Sequence, residues 1–356
     1  MKIMLTGGGT AGHVVPNIAL MPELKTNGFE IGYIGSKAGM EKELVEREGI
    51  PYYGISSGKL RRYVSLKNLT DGFRVLRGVA QARKILKKTK PDVVFSKGGF
   101  VTVPVVFAAS MLNIPVVIHE SDFSIGLANR LSIPRASKVC CVFPETLKQI
   151  PAAKGILTGT PIRKEILSGS RIHGARIANF PEQKPVILVM GGSLGSAIIN
   201  NAVREALDAL LADFNIIHGC GKGHVDAGLN NRPGYLQFEY ISQNLGDYYA
   251  LADLVVCRAG ANSISEFLAL AKPNVLVPLS KKASRGDQIL NAASFEKQGF
   301  SVVIEEEELS RQVLIEKIHH TYENRGKYIA QMKKSDAAFG TEQIVGIIAQ
   351  VAKGKA

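Results

Sequence analysis

The stretch Thr6–His13, TGGGTAGH, directly follows an apolar run at Lys2–Leu5 and decides how the chain is read. Gly7, Gly8, Gly9 and Gly12 open a turn in which backbone N–H groups can approach an anionic or sugar group without side-chain obstruction. The same grammar returns downstream, where VILVM at Val186–Met190 runs into GGSLG at Gly191–Gly195. A strand, a glycine turn and a helix, occurring twice, predict two Rossmann-like halves with parallel sheets, an α/β chain whose halves face each other across a cleft.

Apolar strand runs alternate with amphipathic stretches along the whole chain, and 356 residues suffice for two domains. Strands are expected in the first half at Lys2–Leu5, Glu30–Ile34, Tyr52–Ile55, Val93–Phe95, Val116–His119 and Lys138–Val142. In the second half they are expected at Val186–Met190, Phe214–His218, Tyr235–Glu239, Leu254–Cys257, Asn274–Val277 and Ser301–Ile304. Helices should include Val14–Asn27, Leu66–Thr89, Ser196–Leu211 and Ile264–Ala271. The turn residues of Gly159–Arg163 mark the boundary, giving domains 1–162 and 163–337, and the polar Gly169–Pro185 reads as a connection. Ile344, Val345, Ile347, Ile348 and Val351 give the tail an apolar face, so residues 338–356 should form a helix that packs back on the first domain.

Basic residues number 44 against 31 acidic ones, a net +13, which points to an anionic partner. The excess concentrates in Lys59–Lys90, where apolar residues such as Leu66, Phe73, Leu76, Val79 and Leu86 interleave with eleven lysines and arginines. That segment reads as a loop and a basic amphipathic helix, suited either to an anionic membrane surface or to packing one face on its own core. Val101–Ile118 is interrupted by Pro104, Asn113 and Pro115 and is too short to cross a bilayer, so membrane contact would be peripheral. No signal peptide is expected, because Lys2–Leu5 runs at once into the glycine turn. Cys140, Cys141, Cys220 and Cys257 lack metal-ligand spacing and read as reduced, buried thiols. The absence of tryptophan and of an RNP-like aromatic motif argues against nucleic acid.

Several positions carry candidate chemistry. A helix beginning near His13 would turn its positive dipole end toward the imidazole and favour the neutral ring, a candidate general base. Ser193, at the tip of the second glycine turn, offers a hydroxyl to a phosphate. In CRAGANSISE, Cys257–Glu266, the Ser263/Glu266 spacing fits a capping box, or the Glu266 carboxylate accepts bonds from ribose hydroxyls. Arg163 suits diphosphate oxygens or is an ordinary surface arginine. Asp287 and Gln288, near a helix start, suit sugar hydroxyls, or Asp287 is simply the N-cap. SKGGF at Ser96–Phe100 is a third glycine turn, with Gly98 and Gly99, and HESD at His119–Asp122 puts polar side chains at a strand's carboxyl end. No D-x-D triplet, P-loop or dinucleotide fingerprint occurs, so neither a metal nor a cofactor is expected.

Taken in order, GGGTAGHVVPN, SKGGFVTVP, HESDFSIGLANR, GTPIR, GGSLGSAIIN, CRAGANSISE and RGDQILNA resemble the MurG family of N-acetylglucosaminyltransferases over essentially the whole chain. The resemblance implies a GT-B fold and an inverting, metal-independent transfer of GlcNAc from UDP-GlcNAc to the C4 hydroxyl of lipid I. It implies that the C-terminal domain holds the donor. Ser193 and Arg163 would meet the diphosphate, Ile241 the uracil, Glu266 the ribose and Gln288 the GlcNAc. Ala261, Asn262, Ser263, Ile264 and Ser265 would line the nucleotide pocket, with Thr10, Ala11 and Gly12 near the donor sugar and His13 as base. Gly98 and Gly99 would face the acceptor, with Glu120, Asp122 and Asn129 as further acceptor-side residues. Some members carry asparagine where this chain has Asp122, a carboxylate that either serves as a second acid/base group or orients its neighbours. The implied location is the cytoplasmic face of the cell membrane, with proteins of cell-wall synthesis as further partners. Two relatives in fold, a diacylglycerol glycosyltransferase and a UDP-GlcNAc 2-epimerase, are the alternatives.

Overall fold

The structure, a computed structural model, describes residues 1–58, 67–192, 195–241, 243–281, 286–335 and 340–354, with side chains of the long helix described from residue 72. The chain divides after Arg163 into two compact units, the first of which also takes in the closing helix Gly340–Ala352.

The first unit runs β1 (Lys2–Thr6), α1 (Ala11–Thr26), β2 (Glu30–Ser36), α2 (Met40–Arg47), β3 (Tyr52–Ile55), α3 (Lys67–Thr89), β4 (Val93–Ser96) and α4 (Thr102–Ser110). It continues through β5 (Val116–Glu120), α5 (Leu127–Ser132), β6 (Lys138–Cys141), α6 (Pro144–Leu147) and β7 (Gly155–Leu157). Its seven strands are parallel in the order β3-β2-β1-β4-β5-β6-β7. Side-chain alternation along the strands feeds two cores. Ile3, Leu5, Val93 and Phe95 pack with α1 and the closing helix, whose Ile344, Val345, Ile348 and Val351 are buried there. Met4 and Val94 point the other way, to Ala82 and Leu86 of α3 and Val105 and Val106 of α4. At about 25 cal/mol per Å², burying such side chains supplies the main drive for docking the closing helix.

The second unit contains α7 (Lys164–Leu167), α8 (Arg171–Ala178), β8 (Val186–Met190), α9 (Ala197–Glu205), α10 (Leu207–Asp213), β9 (Asn215–Gly219) and β10 (Tyr235–Phe238). There follow α11 (Leu245–Leu251), β11 (Leu254–Cys257), α12 (Ala261–Ala269), β12 (Asn274–Leu276), α13 (Asp287–Lys297), β13 (Val302–Val303), α14 (Arg311–Glu323) and α15 (Arg325–Met332). The closing helix is α16. Six parallel strands lie in the order β10-β9-β8-β11-β12-β13. Both units are therefore Rossmann-like, with strand order reversing at β1/β4 in the first and β8/β11 in the second.

Four expectations need correction. Gly169–Pro185 is not all connection, because α8 forms within it. Ser170 caps that helix and accepts from His173 N–H at 3.2 Å, while Asp247 of α11 accepts from Ser170 N–H at 2.7 Å and lies 2.8 Å from His173 Nδ1. A polar segment thus becomes helical through a tertiary partner. Ser196–Leu211 breaks at Ala206 into α9 and α10. The Ser263/Glu266 capping box does not form, because α12 starts at Ala261 with Gly260 as its N-cap. Asp287 likewise stands inside α13, whose N-cap is Gly286 at φ +84°.

Candidate active site

In the first unit the loops after β1, β4 and β5 meet at the carboxyl edge of adjacent strands. Helix α1 starts at Ala11, three residues before the expected Val14, with Thr10 as N-cap, so His13 sits in its first turn. The half-buried His13 ring has Nδ1 3.1 Å from the Gly8 carbonyl oxygen and 3.1 Å from Thr10 Oγ1. A carbonyl can only accept, so Nδ1 carries the proton and Nε2 presents a bare lone pair. Burial first, and the positive charge of Lys97 second, pull the His13 pKa down to about 4; the Gly8 carbonyl and Glu41 act in the opposite sense. The ring is therefore neutral near pH 7.

The turn beside it is tightly supported. Tyr33 Oη donates to the Gly7 carbonyl at 2.8 Å, and Asn17 Nδ2 donates to the Thr6 carbonyl at 3.2 Å. The Glu41 carboxylate, fully buried on α2, accepts from Ser36 N–H at 2.9 Å and Ser36 Oγ–H at 2.6 Å. Gly99, at φ +90°, approaches this turn so closely that a Cβ would lie 2.2 Å from the Gly8 carbonyl oxygen. No other residue type fits there.

The β4 and β5 edges add charge. Lys97 is buried, and its Nζ donates to Ser121 Oγ at 2.7 Å. Glu120 is also buried and accepts from Gly126 N–H at 2.9 Å, Asn129 Nδ2 at 3.0 Å and Asp122 N–H at 3.2 Å. Burial and the neighbouring Asp122 push its pKa up. His119 donates through Nε2 to the Gly159 carbonyl at 3.1 Å and, held neutral by burial, leaves Nδ1 as an acceptor. Gly98 lies against the Asn129 amide, so Gly98, Gly99, Glu120, Asp122 and Asn129 share one edge with His13. Lys97, His119 and Glu41 join them. The sequence signal for Lys97 was the SKGGF turn, read there only for its glycines.

In the second unit the corresponding edge is built differently. Gly195, at φ +78°, runs so near the Cys220 carbonyl that a Cβ would lie 2.2 Å from it, and Ser196 caps α9. Ser193 lies outside the described residues. Arg258, buried at the end of β11, ion-pairs with Glu306 and donates to Ser196 Oγ at 2.8 Å and to the Val277 and Pro278 carbonyls at 3.2 Å each. One guanidinium thus ties the helix start after β8 to the ends of β11 and β12. Glu266, half-buried on α12, accepts from Tyr249 Oη at 3.0 Å. The first turn of α12 presents Asn262 and Ser263; Ala261, Ile264 and Ser265 are buried, Ser265 Oγ donating to the Ala261 carbonyl at 2.7 Å. Gln288, in the first turn of α13, accepts from Leu279 N–H through Oε1 at 3.1 Å. Ile241 packs on the end of β9 beside Gly219. Arg163, which closes the first unit, is half-buried, and its Nε has no hydrogen-bond partner among the described residues.

Of the basic segment, residues 59–66 lie outside the description. Beyond them α3 buries Ala82 and Leu86 and exposes Phe73 and Leu76, which are 75% and 68% accessible. A shallow groove is lined by Leu76, Val79, Ala80 and Met111 with Arg83, Lys84 and Lys87. The helix therefore packs one face on the core and still presents a basic, apolar outer face. Among the described residues no helix is long and apolar enough to cross a membrane, and no group of three or more His, Cys, Asp or Glu is placed to hold a metal. The four cysteines are free and buried.

Two Rossmann-like units carry glycine turns at their carboxyl edges, the first with a neutral histidine beside it, and the family domains matched by the chain define the class as glycosyltransferase. The glycosyltransferase family 28 N-terminal domain matches residues 3–141, and the family's C-terminal domain matches residues 186–348. The chain belongs to glycosyltransferase family 28. It is 58% identical over 347 residues to the UDP-N-acetylglucosamine–N-acetylmuramyl-(pentapeptide) pyrophosphoryl-undecaprenol N-acetylglucosamine transferase of Clostridium tetani, covering 98% of this chain and 97% of that one. The protein of the same name from Clostridium botulinum is 58% identical over 352 residues, 99% of both chains. Among solved structures, MurG of Acinetobacter baumannii superposes with a TM-score of 0.78 at 28% identity, covering 98% of this chain and 99% of that one. The UDP-GlcNAc 2-epimerase of Neisseria meningitidis shares the fold, with a TM-score of 0.68 at 15% identity, covering 99% of this chain and 100% of that one.

Proposed function

We propose that the protein transfers GlcNAc from UDP-GlcNAc to the C4 hydroxyl of lipid I, with inversion at the anomeric carbon, to give lipid II. The observation that carries this reading is the 58% identity, over 97% and 99% of their lengths, to transferases bearing that name. A neutral, oriented His13 gives the reaction its base, and the 58% identity to named transferases, against 15% to the epimerase, favours transfer to an alcohol.

In this mechanism the alcohol oxygen attacks the anomeric carbon on the face opposite the diphosphate. Its proton passes to His13 Nε2, and the bond to the diphosphate oxygen breaks with its electron pair leaving on UDP. The Nδ1–H bond to Gly8 is the element that supports Nε2 as acceptor, since it orients the ring and stabilises the imidazolium that forms. The second unit binds the donor. Glu266 takes the ribose hydroxyls, Ile241 packs by the uracil and Gln288 reads the GlcNAc. Arg163 and Ser193 meet the diphosphate, and the first turn of α12, Ala261–Ser265, lines the nucleotide. Helix N-termini and an arginine would stabilise the leaving diphosphate. The first unit takes the acceptor at Gly98, Gly99, Glu120, Asp122 and Asn129, with Thr10, Ala11 and Gly12 next to the donor sugar.

The outer face of α3 supports attachment to an anionic membrane surface at its cytoplasmic side, where the acceptor's lipid would reside. Exposed Phe73 and Leu76 enter the interface while Arg83, Lys84 and Lys87 meet lipid phosphates. The deciding assay is UDP release from UDP-GlcNAc. It is expected only in the presence of a lipid I analogue; release that is equal with diacylglycerol, or independent of any acceptor, would reject the assignment.

A further inference from the structure

The glycine turn after β1 contains one peptide plane whose two ends meet different partners. The Gly8 carbonyl and the Gly9 N–H belong to the same trans amide, so they point in opposite directions. The carbonyl oxygen lies 3.1 Å from His13 Nδ1. The N–H donates to Glu41 Oε2 at 3.5 Å, a long bond. The other carboxylate oxygen, Oε1, accepts from Ser36 N–H at 2.9 Å and Ser36 Oγ–H at 2.6 Å. A fully buried carboxylate is unfavourable without partners, and this one has a fitted socket. A Cβ on Gly8 would lie 2.6 Å from Oε1, one on Gly39 2.2 Å from Oε2, and one on Gly35 2.9 Å from Glu41 Cγ. Glycine at all three positions makes the room that Glu41 occupies. Between two glycines, with Gly9 at φ +88°, the plane can turn over at little steric cost, so its orientation is set by what it bonds. Tyr33 and Asn17 bond the Gly7 and Thr6 carbonyls, not this plane. Thr10 Oγ1, also 3.1 Å from Nδ1, can donate or accept and fits either tautomer of the ring.

We propose that Glu41 is a positioning residue of the transfer: by accepting from Gly9 N–H it fixes the Gly8–Gly9 plane with its carbonyl toward His13, which keeps the ring proton on Nδ1 and the Nε2 lone pair available to the acceptor hydroxyl. The inference rests on the role of His13 in the reaction proposed above. Electrostatics acts in the same direction. The carboxylate polarises the amide and makes the Gly8 oxygen a stronger acceptor. Burial and Lys97 oppose a charge on the ring, whereas the Gly8 carbonyl and Glu41 favour it. As Nε2 takes up the hydroxyl's proton, Glu41 therefore stabilises the imidazolium through the peptide, a task that a buried aspartate performs by direct contact in serine-protease triads.

The test is ¹⁵N spectroscopy of the full-length protein labelled at the histidine ring nitrogens, with His13→Gln identifying its signals among seven histidines. At about pH 7 the wild type should show a protonated Nδ1 and an unprotonated Nε2 at His13. Glu41→Gln keeps the shape of the side chain and has one acceptor oxygen where the carboxylate has two. With that oxygen on Ser36, its NH₂ group faces the Gly9 N–H, donor against donor. The plane is then expected to turn over, bring N–H toward Nδ1 and move the ring proton to Nε2. Glu41→Met, which removes both acceptors, should give a mixture of the two tautomers and serves if Glu41→Gln does not fold. A merely structural tether between Ser36 and α2 predicts instead that Glu41→Gln keeps the wild-type tautomer. With substrate, Glu41→Gln should lower kcat by about tenfold or more and leave the donor KM within about twofold. A proton on Nε2 in the wild type, which needs no variant to detect, overturns the proposal. So does a proton that stays on Nδ1 in both variants, or one that moves while kcat is unchanged. The spectra need no substrate, so a moved proton in a protein that transfers no GlcNAc would fault the proposed reaction while supporting the Glu41–His13 coupling.

Discussion

The carboxyl edges of the two sheets share a backbone plan and differ in how they handle charge. In the second unit the buried cation, Arg258, is neutralised by Glu306 and spends its remaining donors on Ser196 and two carbonyls. In the first unit the buried cation, Lys97, has a serine for a partner, and two neutral histidines and a carboxyl of raised pKa surround it. A saturated network holds shape; an unsaturated one leaves protons movable. On the proposed mechanism, that difference suits proton chemistry in the first unit and substrate holding in the second, although both are built on the same strand–turn–helix plan.

Breaking that division at its proton-handling end should have the largest effect. His13→Ala is expected to lower kcat by about 10²- to 10⁴-fold with the donor dissociation constant within about twofold. Steady-state kinetics with a lipid I analogue, alongside calorimetric binding of UDP-GlcNAc, checks this; near-normal turnover removes His13 as base. On the holding side, Glu266→Ala should weaken UDP-GlcNAc binding about 10- to 100-fold through the lost charged hydrogen bonds, leaving the His13 titration in place. An unchanged donor affinity would contradict the ribose role. Away from both edges, Phe73→Ser with Leu76→Ser should reduce partition onto phosphatidylglycerol vesicles by about tenfold, with high salt weakening what remains. Binding unaffected by either change would place the membrane contact elsewhere.

The smallest effect sharpens the contrast through stability. His13 and His119 of the first unit and His218 of the second have folded pKa values below the ordinary 6.5, His13 at about 4 and His218 at about 3. The unfolded chain therefore binds protons that the folded chain refuses, so stability is full above pH 6.5 and falls as pH drops below it. Each such histidine contributes a slope of up to about 1.4 kcal/mol per pH unit. With two against one, the first unit should lose more amide hydrogen-exchange protection than the second between pH 7 and 5. Equal losses would count against the buried-neutral assignment of His13 and His119.

The amino-acid sequence by itself determined the elements whose causes are local. Strand runs such as Val186–Met190 and Leu254–Cys257 fall where the apolar pattern placed them, and the glycine turns after β1, β4 and β8 follow from the steric freedom of glycine at strand ends. It also determined which residue types stand there, His13, Glu266 and Gln288 among them. Contacts between distant segments decided the rest. Helix α8 needs Asp247, 77 residues from Ser170, to satisfy its start. Lys97 becomes a buried cation only because β1 and β5 flank β4, which a five-residue motif cannot reveal. The protonated nitrogen of His13 follows from the Gly8 carbonyl beside it. Propensity and turn chemistry act over a few residues, whereas burial, pairing and the placement of a proton depend on the neighbours that the fold brings together.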